Sequence, residues 1–481
     1  MPTLLPALLL FFAADVSELD HLLKKFIDVY VAADENAADP VNPEQAIYQG
    51  AIPGMLRRLD PHSIFFDPGQ FEQLKELEKS TKKGFGSVVS VLPGRVIFLQ
   101  TLPGTPSAKS GIMAGDEIVA INNIPLSSLD MNQLVQLLTE SRQQQARVDV
   151  RRAGNARLLS FVLTPEEVES PAVDRAFLLK PGVGFVRITS FEAETGPQLQ
   201  QAIEKLGGDK LKALVLDLRN NPGGILPAAL DVNSLFLKPG TKILTIRGRS
   251  KETEEVKVSG KAKPYSFQLA VLINGRTASA SEIVAGAIQD HDRGVVVGEP
   301  SFGKGLVQGV YPLSSSTGLA LTTAYYYTPS GRSIQHPLTG GQLDEVTRAK
   351  QPEYRTDKGR IVRGGGGIQP DEVIYPEPVS RFRAVVDATG ILTTYATSYL
   401  LKNKAGEDFD VAPAMLDDLK VFLSESKIQP SLSEWSRERD WITSRLKQEI
   451  LNQAAGVAKG DEVEFRRDPV VRGGLRLLGI E

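Results

Sequence analysis

Residues 274–308, NGRTASASEIVAGAIQDHDRGVVVGEPSFGKGLVQ, contain the pattern that decides the fold. A turn of small residues, ASAS at 278–281, leads directly into an amphipathic segment over 282–290 whose apolar side chains recur at helical spacing. A short β-branched run follows at 295–297, so the order predicts a turn, a helix and a strand of an α/β core. A serine in this turn would expose its hydroxyl beside the free amides of the helix start, which suits nucleophilic attack and the binding of an oxyanion.

A single lysine, Lys304, lies between Gly303 and Gly305 after this strand. Glycine permits backbone conformations that other residues resist, so the pair can direct one amine inward. Each feature alone has an ordinary explanation, a serine helix cap for ASAS and a hairpin turn with an exposed lysine for GKG. Their occurrence together with a glycine pair, Gly223 and Gly224, favours the functional interpretation.

Composition sets broad limits on fold and function. The chain has 481 residues, of which 41% are hydrophobic and 23% charged, enough apolar material for a globular protein of several domains. Because 55 basic and 58 acidic residues nearly cancel, charge gives no argument for nucleic acid as a partner. The absence of cysteine excludes disulfides, cysteine nucleophiles and zinc thiolates. A catalytic metal is not expected, since the four histidines lack metal-ligand spacing: His21, His62, His291 and His336.

The beginning of the chain is apolar. The run at 4–14 ends in small residues and resembles the hydrophobic part of a secretory signal, although no Lys or Arg precedes it, and it is too short to span a bilayer. Residues 1–15 are therefore interpreted as a signal or an N-terminal apolar segment; the alternative is a helix that packs on the body or on a partner subunit. An N-terminal helical region is predicted over 16–80, with an apolar face typical of a core or a dimer seam.

Between residues 84 and 165 the pattern predicts short strands and one helix, Met131–Ser141. A resemblance to a PDZ domain is carried by two motifs: the loop Gly84, Phe85, Gly86 and Ser87, and the run AKSGIMAGDEI at 108–118. A PDZ domain binds the free C-terminus of a peptide as an added strand, with the carboxylate held by loop amides. The resemblance therefore implies a C-terminal tail as ligand; the alternative is a PDZ domain used only as an internal clamp.

A linker is expected at about 166–172, followed by alternating strands and helices. A buried strand over 212–218 runs into DLRNNPGG, which ends in the glycine pair, and α/β folds place their chemistry at such strand ends. The glycines have no side chains to block a substrate oxygen, though two glycines after a proline are also an ordinary turn. From residue 380 the sequence predicts charged helices, interpreted as a helical cap or a dimerisation element.

Taken together, these segments resemble the C-terminal processing, or tail-specific, serine peptidases with an inserted PDZ domain. The motifs that carry the resemblance, over residues 19–376, are LDPHS at 59–63, LDLRNNPGG at 216–224, ASASEIVAGAIQD at 278–290, VGEPSFGKGLVQ at 297–308, YTPSGRSIQ at 327–335 and GGIQPD at 366–371. The implied fold is multidomain α+β, with a crotonase/ClpP-like α/β protease core, an inserted PDZ domain and helical N- and C-terminal regions. The expected division is residues 1–15, 16–80, 82–168 for the PDZ domain, 172–378 for the protease core and 379–481.

The resemblance implies a role for individual residues. Ser279 corresponds to the nucleophile, Lys304 to the general base and Gln308 to the residue that orients the lysine. The oxyanion hole corresponds to amides of Ala280 and of Gly223 or Gly224, and the carboxylate-binding loop to residues 84–87. Glu282 and Asp290 match residues with a supporting role. Arg152 resembles an arginine through which a loaded PDZ domain favours the working active site, with Arg151 as the near alternative and a solvated charge at a strand end as the other interpretation.

The chemistry is coherent on physical grounds as well. An ordinary lysine has a pKa of about 10.4 and is a poor base at neutral pH, but burial disfavours its charged form. A neutral Lys304 could take the proton of Ser279 and later return it to the leaving amine.

The expected activity is thus an exported, ATP-independent endopeptidase that needs no cofactor or metal and acts outside the cytoplasm on proteins with flexible apolar C-termini. Membrane association through the N-terminus and a homodimer are also expected. The alternatives are a noncatalytic PDZ-containing peptide-binding or scaffold protein, and an enzyme for small acyl substrates.

Overall fold

The computed structural model describes residues 6–77, 81–249, 252–336 and 352–480. The chain folds into two compact units. The first contains the chain up to Leu74 together with Gln308–Thr322, and the second contains Lys75–Val307 and Thr323–Glu481.

Helices and strands alternate along most of the described chain. The described α-helices are α1 (Pro6–Asn36), α2 (Ile52–Leu56), α3 (Pro68–Leu77), α4 (Pro106–Ser110), α5 (Met131–Ser141), α6 (Thr195–Leu206), α7 (Leu226–Ser234), α8 (Ala280–Asp290), α9 (Arg381–Thr389), α10 (Ile391–Leu400), α11 (Pro413–Glu425), α12 (Leu432–Ala454), α13 (Val457–Arg467) and α14 (Pro469–Leu477). The described β-strands are β1 (Ile64–Phe66), β2 (Thr81–Gly84), β3 (Ser87–Leu92), β4 (Arg95–Thr101), β5 (Glu117–Ile121), β6 (Ile124–Pro125), β7 (Ala146–Arg151), β8 (Leu159–Leu163), β9 (Glu166–Glu169), β10 (Val173–Lys180), β11 (Val183–Ile188), β12 (Ala213–Asp217), β13 (Lys242–Gly248), β14 (Glu254–Lys257), β15 (Gln268–Ile273), β16 (Val295–Gly298), β17 (Leu306–Pro312), β18 (Gly318–Tyr327), β19 (Glu353–Arg355), β20 (Ile361–Arg363) and β21 (Glu372–Val373).

The first unit is dominated by α1, whose predicted apolar face is exposed. Leu22 is 57% exposed, and Phe26 is 45% exposed. Farther along, β1 pairs antiparallel with the start of β18, with Phe65 opposite Leu319, and Phe71 is buried in this unit. No helix in the described ranges combines the length and the apolar character that a membrane span requires.

The second unit begins with a small antiparallel β-module. Its sheet has the strand order β3-β4-β5-β7-β8, and β6 pairs with β5. Alternate side chains of the central strands form one apolar core, because neighbouring residues of a strand point to opposite faces; this core includes Val96, Phe98, Ile118, Leu134, Val148 and Val150. The linker predicted at 166–172 is partly wrong. Residues 166–169 form β9, which pairs antiparallel with β2 in a separate two-stranded sheet.

The α/β body is built on a second sheet, with the order β10-β11-β12-β15-β16-β21. Its strands from β11 to β21 are parallel, and β10 joins antiparallel to β11. Every residue of β12 is buried, because helices cover both faces of a parallel sheet.

The two faces of this sheet carry different helices. Leu214 and Leu216 of β12 pack into a cluster with residues of α6, α7 and α8. The alternate residues Ala213 and Val215 pack on the other face against Phe465 and other residues of α13 and α14. The helices α13 and α14 thus cap the core sheet of their own chain, as one of the two interpretations of the sequence expected.

Two further parts complete the second unit. β13 pairs antiparallel with β14 and with the end of β18, where Thr245 lies opposite Tyr327. The helices α9 to α12 bury a separate apolar cluster that includes Leu392, Leu419 and Leu446. The helical C-terminal region therefore has a core of its own.

Candidate active site

The turn before α8 holds Ser279 in a conformation that non-glycine residues rarely adopt, with φ 56° and ψ −117°. The residues on either side fix this turn. The amide of Ala278 donates to the carbonyl of Asn221 at 3.0 Å, and the hydroxyl of Thr277 donates to the carbonyl of Leu218 at 2.9 Å. The strained residue is therefore tied by its neighbours to the segment that follows β12.

The carboxylate of Glu282, one turn into α8, is buried and accepts four hydrogen bonds. Its Oε2 accepts the amides of Ser279 at 2.8 Å and of Lys304 at 2.9 Å. Its Oε1 accepts the amide of Gly303 at 2.7 Å and the hydroxyl of Ser301 at 2.5 Å. Because Ser279 and Lys304 bind the same oxygen atom, this side chain holds their two backbones next to each other.

Burial raises the pKa of the Glu282 carboxyl, and the four hydrogen bonds that it accepts act in the opposite direction. An ionised carboxylate accepts only, and each oxygen here receives two donors. Three of the four donors are backbone N–H groups, which cannot accept a hydrogen bond from a protonated carboxyl. These three contacts favour the ionised form.

The amine of Lys304 lies in a partly buried position. Burial lowers the pKa of Lys304 below its ordinary value, and the negative charge of Glu282 raises it again by a smaller amount. The shift is in the direction that the proposed base requires.

The side chain of Tyr326, which the sequence did not single out, connects the same two residues. Its buried hydroxyl lies 2.8 Å from the carbonyl oxygen of Lys304 and 3.1 Å from that of Ser279. Burial raises the pKa of Tyr326 well above its ordinary value, so the hydroxyl keeps its proton and remains a donor. The only signal in the sequence was the alternation of β18, which buries Ala324 and Tyr326 and exposes Tyr325 between them.

The glycine loop after β12 lies against the serine turn. The carbonyl of Gly223 accepts the amide of Phe191 at 2.9 Å, and the amide of Gly223 donates to Oδ1 of Asn221 at 2.9 Å. Gly224 has φ 153°, and a Cβ on it would lie 2.0 Å from the carbonyl oxygen of Phe191. Only glycine fits there.

Two further backbone amides lie at this junction. Within the described ranges, the amides of Gly224 and Ala280 donate to no protein acceptor. A trans peptide points its N–H away from its C=O, so the amide of Gly224 faces away from Phe191. The ideal Cβ position of Gly223 lies 2.9 Å from the amide nitrogen of Ala280, so the loop and the helix start are in direct contact.

Gln308 belongs to the first unit and is bound there. Its side-chain amide donates to the carbonyl of His62 at 2.8 Å. The LDPHS turn that presents this carbonyl is closed by Asp60, whose carboxylate accepts the amide of His62 at 2.7 Å and the hydroxyl of Ser63 at 2.7 Å. The backbone carbonyl of His62 therefore holds the Gln308 side chain in place.

The far end of α8 is fixed by a buried ion pair. Asp290 is 1% exposed, and its Oδ1 lies 2.8 Å from the guanidinium of Arg332, which is fully buried. This pair joins α8 to the YTPSGRSIQ segment, whose Gln335 accepts the amide of Gly305 at 2.8 Å. Asp290 thus fixes a segment that in turn binds the backbone of the loop around Lys304.

In the predicted carboxylate-binding loop, two backbone carbonyls are bound inside the module. The carbonyl of Phe85 accepts the amide of Ser107 at 2.9 Å, and the carbonyl of Gly86 accepts the amide of Leu102 at 2.8 Å. Both carbonyls therefore point into the module, and the amides of Gly86 and Ser87 point the other way.

Comparisons with known proteins agree with this architecture. The model of the peptidase family S41 matches residues 182–347, and that of a PDZ domain matches residues 98–152. A carboxy-terminal-processing protease of Bartonella bacilliformis is 38% identical over 301 residues, which cover 61% of this chain and 68% of the relative. The chain belongs to peptidase family S41.

Other relatives of this S41 peptidase have similar names. A carboxyl-terminal-processing protease of Synechocystis is 33% identical over 302 residues, covering 62% of this chain and 70% of the relative. A chloroplastic carboxyl-terminal-processing peptidase 2 of Arabidopsis thaliana is 32% identical over 321 residues, covering 62% of each chain. The relatives are thus bacterial and chloroplast processing proteases.

Membership confirms the predicted fold class and activity. The S41 peptidase is a multidomain α+β protein with a PDZ domain, and it is a C-terminal processing serine protease of a family that uses a Ser-Lys dyad. Peptides or proteins are its substrates. The noncatalytic scaffold considered from the sequence is excluded.

Arg152, predicted to be regulatory, is bound inside the PDZ domain of the S41 peptidase. Its guanidinium forms two hydrogen bonds with the carboxylate of Asp116, at 2.7 and 2.8 Å, and one with the carbonyl of Gly111 at 2.8 Å. It therefore braces the loop that contains Gly115. Arg151 is more loosely paired, with Glu117 at 3.7 Å.

Proposed function

We propose that Ser279 and Lys304 are the nucleophile and the general base of this S41 peptidase. The observation that carries the proposal is the Glu282 carboxylate, whose Oε2 binds the backbone amides of both residues. A lysine of lowered pKa and a serine in a strained turn are thereby fixed on adjacent backbone.

The reaction then follows the logic of acyl transfer. The hydroxyl oxygen of Ser279 attacks the scissile carbonyl carbon while the neutral amine of Lys304 takes the hydroxyl proton. The tetrahedral intermediate collapses to an acyl-enzyme, and Lys304 gives the proton to the leaving amine. Water hydrolyses the ester in a second round of the same proton transfers.

The oxyanion hole is best formed by the amides of Gly224 and Ala280. Gly223 was the alternative from the sequence, but its amide already donates to Asn221. Two amides directed at the developing negative charge stabilise the transition state more than the ground state.

We assign Gln308 the task of orienting the lysine, in line with the resemblance. Its side-chain amide donates to the carbonyl of His62 at 2.8 Å, and the other atom of a Gln side-chain amide is an acceptor.

The PDZ domain is proposed to capture a flexible apolar C-terminus. The amides of the loop Gly84 to Ser87 would hold the terminal carboxylate, and β3 would pair with the tail. Met131 and Val135, one turn apart on α5, are 40% and 50% exposed, and exposed apolar side chains on this helix suit apolar tail residues. Arg152 would act on the active site through the loop that it braces.

The remaining features of the proposal concern organisation. The proposed domains keep the division at 1–15, 16–80, 82–168, 172–378 and 379–481. The exposed apolar face of α1 favours a homodimer or attachment to a membrane surface. We place the enzyme outside the cytoplasm, as expected from the apolar segment that opens the sequence.

The test uses one unstructured peptide with an apolar C-terminus, made as the free acid and as the C-terminal amide. The native enzyme is expected to cut the acid much faster than the amide, with products mapped by mass spectrometry. Ser279→Ala and Lys304→Ala are expected to cut neither while keeping the native thermal transition. Full cleavage by either folded variant would refute the dyad, and equal cleavage of the two peptides would refute tail capture.

A further inference from the structure

Two exposed apolar side chains lie on the loops that carry the proposed catalytic groups. Phe302, which is 50% exposed, precedes Lys304 by two residues, and Ile225, which is 43% exposed, follows Gly224 directly. A single exposed apolar side chain is ordinary on a protein surface, so exposure alone assigns no role to either. Their significance comes from where the backbone holds them.

The backbone that presents Phe302 is bound on both sides. The amide of Phe302 donates to the carbonyl of Thr277, two residues before Ser279, at 2.9 Å. The carbonyl of the next residue, Gly303, accepts the amide of His336 at 3.0 Å. Phe302 is therefore fixed to the serine turn by its amide and to the lysine loop by the chain.

The inner side of this loop is already occupied. Ser301 is 4% exposed, and its hydroxyl donates to Oε1 of Glu282 at 2.5 Å. A Cβ on Gly303 would lie 2.1 Å from Cδ2 of His336, so no side chain fits at that position. Because one neighbour points inward and the other has no side chain, the ring of Phe302 is the apolar surface that this loop offers to a ligand.

Ile225 is fixed on the other loop of the site. Its amide donates to the carbonyl of Phe191 at 2.8 Å, and its φ of −77° and ψ of 139° are those of an extended residue. Successive Cα atoms lie about 3.8 Å apart, so Ile225 stays next to Gly224 and its proposed oxyanion amide. The ideal Cβ position of Gly223 is 2.8 Å from Cβ of Ser279, which places this loop directly against the nucleophile.

Acyl transfer brings the two loops to different sides of the scissile bond. The carbonyl oxygen that enters the oxyanion hole belongs to the residue before the cut, which stays on the enzyme as the acyl group. The nitrogen that takes the proton from Lys304 belongs to the residue after the cut, which leaves as the amine. The side chain beside Gly224 therefore lies nearer the residue before the cut, and the side chain on the lysine loop lies nearer the residue after it.

We propose that Phe302 selects an apolar residue immediately after the scissile bond and that Ile225 selects an apolar residue immediately before it. Both roles rest on the proposed dyad and oxyanion hole. Contact with either side chain removes apolar surface of the substrate from water, and one methylene in such a contact changes kcat/KM by roughly tenfold or more. The substrate class is thus a segment in which the cleaved bond joins two apolar residues.

The test uses one unstructured peptide that ends in an apolar free-acid tail and has Leu on both sides of the cut. Two further peptides replace one of these residues with Gly, either before or after the cut, and mass spectrometry maps the products of each. Because all three share the same tail, its capture is constant. The before-cut ratio and the after-cut ratio are the values of kcat/KM for Leu divided by those for Gly at the named position.

The two side chains are expected to have separate effects. Both ratios are expected to be at least about tenfold in the native enzyme. Phe302→Ala is expected to bring the after-cut ratio to within about twofold of one while the before-cut ratio stays native, and Ile225→Ala is expected to do the reverse. Phe302→Leu and Ile225→Val keep smaller apolar side chains, and each is expected to give an intermediate value of the ratio that it affects.

A matched control removes an exposed apolar side chain elsewhere. Val421 on α11 is 60% exposed, and Val421→Ala is expected to keep both ratios. All variants are compared by thermal unfolding. If an alanine variant loses the native transition, Phe302→Leu and Ile225→Val decide the roles by the same ratios.

The outcomes are distinct. An after-cut ratio that stays native in Phe302→Ala would overturn the role of Phe302, and so would a change confined to the before-cut ratio. A before-cut ratio that stays native in Ile225→Ala would overturn the role of Ile225. A ratio of one in the native enzyme would overturn the role assigned at that position. Cleavage by folded Ser279→Ala would instead refute the proposed dyad, and both roles with it.

Discussion

At the scale of single residues, Glu282 and Tyr326 hold the proposed catalytic pair from two sides. Glu282 binds the backbone amides of Ser279 and Lys304, and Tyr326 binds the carbonyl oxygens of the same two residues. Both side chains are buried, where hydrogen bonds are strong and an unpaired polar group is costly. The alignment of serine and lysine therefore depends on side chains that take no part in the chemistry.

The first prediction concerns pH. Lys304 acts as a base only when neutral, and burial lowers its pKa below the ordinary value of 10.5. We expect kcat/KM to be low where the lysine is protonated and to rise with pH through a midpoint below that value. A profile measured from pH 5 to pH 10 with the free-acid peptide checks this.

The control for the pH profile is Lys304→Arg, which stays charged throughout and is expected to be inactive at every pH. Activity that is already maximal at pH 5 would contradict a titrating lysine base.

The second prediction concerns Tyr326. Tyr326→Phe removes one hydroxyl and leaves two buried carbonyl oxygens without it, so we expect about 1–2 kcal/mol lower stability and a loss in kcat on the order of tenfold. Thermal unfolding and steady-state kinetics measure the two effects. The matched control is Tyr325→Phe, the neighbour that is 37% exposed, which is expected to behave as native. Equal behaviour of the two variants would show that the Tyr326 hydroxyl does not position the pair.

At the scale of elements, the site is a junction of a strand, a loop and a helix. All residues of α8 are buried, and the strained Ser279 precedes its first turn. The glycine loop approaches this turn so closely that it must lack side chains. Helix, loop and turn are held together by Asn221, whose carbonyl accepts the amide of Ala278 and the hydroxyl of Ser281.

The third prediction concerns the glycine loop. A Cβ at Gly224 would collide with the carbonyl of Phe191, so Gly224→Ala is expected to displace a proposed oxyanion donor. We expect kcat to fall by roughly 10²–10³, the usual effect of losing one such donor. Gly260→Ala, at a position with open space around it, is the matched control and is expected to be neutral. Near-native kcat in Gly224→Ala would remove this glycine from the oxyanion hole.

At the scale of the whole molecule, the exposed apolar face of α1 stands out because Leu22 and Phe26 lie open to solvent in a single chain. Of the C-terminal helices, α13 and α14 cover the core sheet of their own chain, so the faces that they bury there are not available to a partner. If a second subunit joins this enzyme, the exposed face of α1 offers apolar area to bind it.

The fourth prediction follows from this surface. We expect the native enzyme to sediment as a dimer and Phe26→Glu to shift the equilibrium to monomers, since a charge in an apolar seam is costly. Sedimentation velocity over a range of concentrations measures this. Lys24→Glu, on the same helix, is the control for a simple change of charge. A native chain that remains monomeric at high concentration would rule the dimer out.

The sequence alone determined the family, the order of the domains and the residues proposed for the chemistry. These depend on local patterns: the helical spacing after ASAS, the alternation of the strands, and glycines beside Lys304 and at 223–224. Local patterns are readable because neighbouring residues determine helix and strand formation directly.

The tertiary structure decided which groups support that chemistry. Thr277 and Leu218 are 59 positions apart, and Glu282 and Lys304 are 22 apart, so no spacing rule connects them. Tyr326 looked like one of three strand tyrosines, and β9 looked like a linker, until their partners were known. The physical reason is that a hydrogen bond between distant segments depends on how whole elements pack, which a local pattern does not contain.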